Sequence, residues 1–165
     1  MLTAKILLPL VLVLGTFTVP MHASTWTVAG CDGTVDETNL NDYAVSSNGL
    51  TYKGTSTSTA AIVARYSVTN VFDSTNNPNW TTLDLNYFDI SAQGFLRASL
   101  IQVDPAINSF VTLCFADSVD SVNPATVSCS FAPTMDFSRY FYFVQVSLSR
   151  TNTSDIPTVR GLRIH

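Results

Sequence analysis

Residues 140–149 have the sequence Tyr-Phe-Tyr-Phe-Val-Gln-Val-Ser-Leu-Ser, which is the clearest strand pattern in the chain. Every second position from Tyr142 to Leu148 is apolar, whereas Gln145 and Ser147 fall on the alternate positions. Side chains that alternate in this way point to opposite faces of a β-strand. We therefore predict a strand with one face in a core.

The same two-residue period recurs on both sides of this stretch, between segments rich in Asn, Asp, Ser, Gly and Pro. The predicted strands cover residues 26–28, 60–69, 81–89, 95–103, 110–115, 126–131, 140–149 and 158–164. The chain has 21 Thr and 18 Ser but one Glu and two Lys, so surface helix formers are scarce. Eight or nine short strands predict an all-β fold, a single antiparallel β-sandwich of the immunoglobulin-like or jelly-roll type.

The N-terminal residues have the layout of a secretory signal peptide. Lys5 supplies a positive charge, residues 6–19 are mostly apolar, and Pro20 follows them. We predict a signal peptide at residues 1–23 and a β-sandwich domain at residues 24–165, secreted to an extracellular or periplasmic space. The alternative is a membrane anchor, but the apolar run is shorter than the roughly 20 residues that a span needs. We expect no membrane span in the mature chain.

Three cysteines enter an oxidising compartment, so one is left over from a disulfide. Cys114 and Cys129 lie on neighbouring predicted strands, and we predict a bridge between them. A bridge from Cys31 to either of the others stays open. Residues 28–31, Val-Ala-Gly-Cys, also look like a bacterial lipobox, so lipid anchoring at Cys31 is an alternative. Against it, mostly polar residues separate this motif from the apolar run.

The ionisable residues exclude several function classes. The eight Lys and Arg residues are scattered and the net charge is -4, so no nucleic-acid partner is expected. His22 falls in the predicted signal peptide and His165 is the last residue, so an internal histidine base is missing. We predict that the protein is not an enzyme. The alternative is an Asp-based glycosidase with Asp84 and Asp89 as the acids.

We expect no cofactor and no metal, with calcium as the alternative. Calcium prefers oxygen ligands from loops, and two segments offer them. One is residues 73–79, with Asp73, Thr75, Asn77 and Asn79 at alternate positions. The other contains Asp32, Asp36, Glu37 and Asp42. The first segment lacks the glycine and the glutamate of an EF-hand loop, and turn composition is the simpler explanation.

Aromatic residues near predicted strand ends are the candidate ligand-binding residues, because sugar faces stack on flat rings. These are Trp26, Tyr43, Tyr52 and Trp80. Their alternative role is to fill the ends of the core.

Phe141 and Phe143 share the face of the 140–149 strand opposite its core face. Either another segment covers them, or they form an interface for a partner. Together these patterns predict a secreted, non-catalytic binding or surface-interaction domain for a carbohydrate or another cell-envelope ligand. The alternative is a structural subunit of an extracellular assembly that pairs through the terminal strands, 26–28 and 158–164, or through the Phe141 patch. The oligomeric state stays open.

Overall fold

The structure is a computed structural model that describes residues 24–70, 76–132 and 134–165. Within them the chain forms eleven strands and two short 3-10 helices, Gly30–Asp32 and Glu37–Asn39. The strands are β1 (Trp26–Ala29), β2 (Thr34–Val35), β3 (Tyr43–Ser46), β4 (Gly49–Tyr52), β5 (Ile62–Val68), β6 (Thr82–Asp89), β7 (Gly94–Asp104), β8 (Ser109–Asp117), β9 (Ser121–Ser130), β10 (Phe141–Arg150) and β11 (Thr158–Ile164). The predicted signal peptide lies outside the described residues.

The strands form two antiparallel sheets that pack together as a β-sandwich, which confirms the predicted fold class. One sheet has the order β3-β4-β11-β6-β9, with β1 also paired to β11, and the other has the order β2-β5-β10-β7-β8. From β4 to β11, strands that follow one another lie in opposite sheets, except for the β7–β8 hairpin. This crossing pattern is that of a jelly roll, because immunoglobulin-like sandwiches pair more of their consecutive strands within one sheet.

The strand pattern at residues 140–149 becomes β10, which runs through the centre of the five-stranded sheet between β5 and β7. Its even-numbered side chains from Tyr142 to Leu148 are buried, as the alternation predicts. The core side chains of the other sheet, including Leu83 and Leu85 of β6, pack against them in one cluster. The two inner faces therefore bury the apolar half of each strand.

The hairpin of β3 and β4 is the main element that the sequence analysis did not predict. Tyr43 pairs with Tyr52 across it, and Ser46 pairs with Gly49 at its turn. Gly49 has a φ of 127°, which only glycine adopts readily. Between β1 and β3 the chain forms the two 3-10 helices and the two-residue strand β2.

The C-terminal strand is central in its sheet. β11 pairs with β6 along one edge and with β4 and β1 along the other. This differs from the prediction that residues 158–164 pair with a neighbouring molecule, because both edges of β11 are already occupied. Residues 26–28 form most of β1, and one edge of β1 is paired with β11.

The predicted disulfide between Cys114 and Cys129 is confirmed. Cys114 lies on β8 at the edge of the five-stranded sheet, and Cys129 lies on β9 at the edge of the six-stranded sheet. The bridge therefore links the two sheets along one open side of the sandwich. Cys31 is a free, partly buried thiol.

Arg150 closes one end of the sandwich. It is buried, and its guanidinium donates hydrogen bonds to four backbone carbonyls on two loops, those of Ser56, Ser58, Thr153 and Asp155. Its Cζ lies 4.1 Å from the centre of the Tyr52 ring. A single side chain thus fixes the Thr- and Ser-rich loop before β5 to the connection between β10 and β11.

Candidate functional site

The aromatic residues predicted to bind ligand do not form an open platform. Trp26, Tyr52 and Trp80 are 9%, 1% and 2% exposed and belong to the core. Tyr43 is partly buried and packs against the same cluster. Trp80 Nε1 donates a hydrogen bond of 2.8 Å to the Ser24 carbonyl, and the Tyr52 hydroxyl donates to backbone carbonyls. Their burial corrects the platform prediction and supports the alternative role of filling the core.

Exposed aromatic rings are found instead on the outer surface of the five-stranded sheet. Phe95, Phe110, Phe115 and Phe141 are 37%, 61%, 54% and 66% exposed. They come from three adjacent strands, β10, β7 and β8. We call this surface, formed by the outward side chains of β5, β10, β7 and β8, the aromatic face. Phe141 is therefore uncovered, and its role in an interface stays a prediction.

Strand register arranges the aromatic face in rows. Phe141 lies opposite Val103, which lies opposite Phe110, so one row is apolar across three strands. The row that contains Phe143 and Ile101 follows at about 7 Å along the strands. Sequence alternation could identify the outward positions, but the register between strands comes only from the fold.

The next rows alternate rings with polar groups. Gln145 lies opposite Ser99, which lies opposite Phe115. The Arg97 guanidinium in the following row lies 4.5 Å from the Phe115 ring centre, close enough for a cation–π contact. The carboxylate of Asp117 accepts two hydrogen bonds from the Arg97 guanidinium, of 2.6 and 2.7 Å. These contacts hold the ring and the guanidinium in place on the exposed sheet.

A groove of about 480 Å³ adjoins the apolar end of the aromatic face. Its described lining comes from the end of β5 and the residues that follow it, from the loop before β10 and from the start of β10, and includes Ser67, Thr69, Phe137, Tyr140, Phe141 and Phe143. Phe137 packs on Tyr142 with ring centres 5.0 Å apart, and Tyr140 packs edge-on to Tyr142 at 6.4 Å. Burial raises the pKa of Tyr142, whose hydroxyl accepts a hydrogen bond from the Asp136 amide. The groove wall is thus a packed aromatic cluster with hydroxyl groups at its margin.

Each arginine at or beside this surface has a carboxylate partner. Arg65 pairs with Asp36 at 2.7 Å, and Arg97 pairs with Asp117. Arg139 lies 3.4 Å from Asp104 and stacks over Tyr140. The local charges therefore compensate one another around the aromatic face.

The two candidate catalytic acids lie apart. Asp84 and Asp89 are five residues apart on β6, about 17 Å along an extended strand. Glycosidase carboxylates stand about 5–9.5 Å apart, so these two cannot flank one glycosidic bond.

Asp84 is part of a polar cluster on the outer surface of the six-stranded sheet. It accepts hydrogen bonds from Ser128 and Arg163, and His165 Nε2 lies 3.2 Å from its Oδ2. Burial raises the pKa of Asp84, but the hydrogen bonds from Ser128 and Arg163 and the nearby positive charges outweigh it and lower the pKa. The backbone of His165 pairs with Thr82, which places the imidazole. No local pattern in the sequence predicts this cluster, because Arg163 is 79 residues from Asp84 in the chain.

Within the described ranges, no three His, Cys, Asp or Glu side chains converge in a way that could hold a metal ion. Of the first predicted calcium segment, Asp73 and Thr75 lie outside the described residues. In the second, Asp36 is paired with Arg65, and Asp42 accepts a hydrogen bond from Ser56. Helices long and apolar enough to cross a membrane are also lacking in the part of the chain that the structure describes.

No protein-family model and no curated protein matches the chain. Similar solved structures include a family two carbohydrate esterase from Cellvibrio japonicus, with a TM-score of 0.48 and 12% identity over 86% of this chain and 33% of that one. Another is the N-terminal part of a Clostridium thermocellum endo-1,4-beta-D-xylanase with its CBM22-1 and GH10 modules and xylohexaose, with a TM-score of 0.47 and 9% identity over 87% and 26%. A third is a xylanase from Cellvibrio japonicus in complex with xylopentaose, with a TM-score of 0.44 and 14% identity over 84% and 28%. This chain spans at most 33% of the length of these proteins.

Proposed function

We propose that the protein is a non-catalytic binding domain that holds a neutral polysaccharide on the aromatic face. The observation that carries the proposal is the groove beside Phe141 and Phe143, where exposed rings meet hydroxyl groups. The C–H faces of a pyranose ring are apolar and its edges carry hydroxyls. A site for such a ligand needs flat apolar surfaces with a few polar groups beside them.

The polar groups have clear positions in this proposal. Ser67 lies opposite Phe143 on the neighbouring strand, and Gln145 lies one row further along. Ser67 is exposed and Gln145 is partly exposed, and both would meet the hydroxyl edge of a sugar stacked on Phe141 or Phe143. Tyr140 adds a ring with a polar tip at the groove wall.

The paired arginines favour an uncharged ligand. Binding an anionic glycan would require Arg65, Arg97 or Arg139 to exchange a carboxylate partner for the ligand, which gains little. We also propose that the protein acts outside the cytoplasm, since the Cys114–Cys129 bridge is compatible with an extracellular protein.

The test is isothermal titration with soluble neutral polysaccharides and with an anionic one, polygalacturonate, on the purified protein. We expect binding to a neutral glycan that Phe141→Ala weakens at least tenfold. The matched control is Phe88→Ala, because Phe88 is a partly exposed ring in the opposite sheet. Equal losses in both variants, or binding of polygalacturonate alone, would overturn the proposal.

A second candidate function is assembly through the edge of the five-stranded sheet. Among the described strands β8 pairs only with β7, and it carries the exposed side chains of Phe110, Val111 and Phe115. Unprotected apolar edges recruit further strands. Sedimentation at rising concentration distinguishes the two functions, because a strict monomer removes the assembly function and a dimer that Phe110→Asp dissociates supports it.

A further inference from the structure

Two carboxylates are buried together at one end of the sandwich. Asp89 ends β6 and Asp155 lies between β10 and β11, and they are 1% and 6% exposed. Gly94, the first residue of β7, lies beside both. A Cβ atom there would be 2.5 Å from Asp89 Oδ1 and 3.3 Å from Asp155 Oδ2. The two oxygens therefore pack against the same glycine.

The protein supplies few hydrogen-bond donors to this pair. The Ser118 hydroxyl donates to Asp89 Oδ2 at 2.7 Å, and the Ser91 hydroxyl donates to Asp155 Oδ2 at 2.6 Å. Asp89 Oδ1 is buried and has no hydrogen-bond partner among the described residues. A buried carboxylate oxygen without a partner is costly, so its retention calls for a ligand that the protein itself does not provide.

The pair also lacks a counter-charge in the described part of the chain. None of the ion pairs found there involves Asp89 or Asp155. Arg150 donates a hydrogen bond to the backbone carbonyl of Asp155, not to its carboxylate. Its other hydrogen bonds also go to backbone carbonyls. Burial is the main cause that raises the pKa of Asp89, and the nearby charges of Asp155 and Asp120 raise it further, whereas the Ser118 hydroxyl and the backbone N–H of Ser91 lower it.

We propose that the space between Asp89 and Asp155 is a calcium site that ties the β6–β7 turn to the β10–β11 connection. A hard cation suits a set of only oxygen donors, and calcium completes its shell with carbonyls and water when the protein offers few carboxylates. Neutralising the pair would remove the repulsion between two buried like charges. The site is separate from the aromatic face, so it does not depend on the proposed function. It also differs from the two acidic segments that the sequence suggested.

The test compares thermal unfolding in Ca²⁺, in Mg²⁺ and in EDTA, together with calorimetric titration of the chelated protein with Ca²⁺. We expect one Ca²⁺ per chain and an unfolding temperature that Ca²⁺ raises by several degrees, as binding to the native state alone requires. Asp155→Asn keeps the shape of the side chain and should abolish the response. Glu37→Gln, which removes a charge from the other acidic segment, should respond like the parent.

The outcomes separate the site from its competitors. No heat of binding and equal unfolding temperatures in Ca²⁺ and EDTA would overturn the proposal and leave a shared proton to stabilise the pair. A response that Glu37→Gln loses and Asp155→Asn retains would overturn it in favour of the 32–42 segment. If Asp155→Asn does not fold, Asp89→Asn and the stoichiometry of the parent protein decide the same question.

Discussion

The guanidinium of Arg150 stacks 4.1 Å from the ring centre of Tyr52, and both side chains are buried. Arg150 ends β10 in one sheet and Tyr52 ends β4 in the other, so the contact spans the sandwich. The guanidinium is planar and carries several donors, which lets it stack and satisfy loop carbonyls at the same time.

Arg150→Lys should therefore destabilise the protein although it keeps the charge. A lysine ammonium cannot both stack on Tyr52 and reach the carbonyls of two loops, and we expect a loss of about 3 kcal/mol in the free energy of unfolding. Chemical denaturation measures it. Arg160→Lys, at an exposed position in β11, is the control and should change little. Equal stability of the two variants would contradict the clamp role of Arg150.

Removal of the Cys114–Cys129 bridge should lower stability by about 3 kcal/mol in the chain-entropy model of a loop of this length, since the cysteines are 15 residues apart. The variant is Cys114→Ala with Cys129→Ala, and Cys31→Ser is the control, because Cys31 is free. Mass spectrometry after alkylation should find one reactive thiol in the unreduced, unfolded protein and three after reduction. Labelling of Cys114 or Cys129 before reduction would refute the pairing.

Acid should remove the stabilisation that Asp84 provides. The pKa of Asp84 is lowered in the native state, so the native protein binds fewer protons than the unfolded chain does near about pH 3.9. The stability that it contributes is complete above that pH and is lost as the pH falls towards the lower native pKa. Asp84→Asn should cost about 2 kcal/mol at neutral pH and flatten the acid limb of the unfolding curve. Asp32→Asn, an exposed carboxylate, should leave that limb unchanged.

Gly49→Ala should destabilise the β3–β4 hairpin. The positive φ disfavours a side chain, and an added Cβ would overlap the Val159 carbonyl of β11. We expect a loss of about 2 kcal/mol, measured by thermal and chemical unfolding. Gly54→Ala is the matched control, because nothing lies within 4 Å of a Cβ at that position. Similar effects at the two glycines would argue against close contact with β11.

Alternation along the chain was enough to predict most of the strands and their buried faces. Residues 158–164 were predicted to be a strand with the bounds of β11, and residues 81–89 match β6 to within one residue. Burial on one face imposes a two-residue period that each strand carries locally. The β3–β4 hairpin was not predicted because each of its strands has only four residues, too few to show a clear alternation.

Sequence also determined the all-β class, since composition and period are local properties. It predicted the pairing of Cys114 with Cys129 but left a bridge to Cys31 open, and only the structure decided between them. Only the tertiary structure decided which aromatic rings are exposed. It buried Trp26 and Trp80, and it placed Phe110 and Phe115 on the same sheet face as Phe141. It alone brought His165 to Asp84 and Asp155 to Asp89. The physical reason is that a jelly roll joins strands far apart in the chain, and both register and the choice of sheet depend on the packing of the whole core.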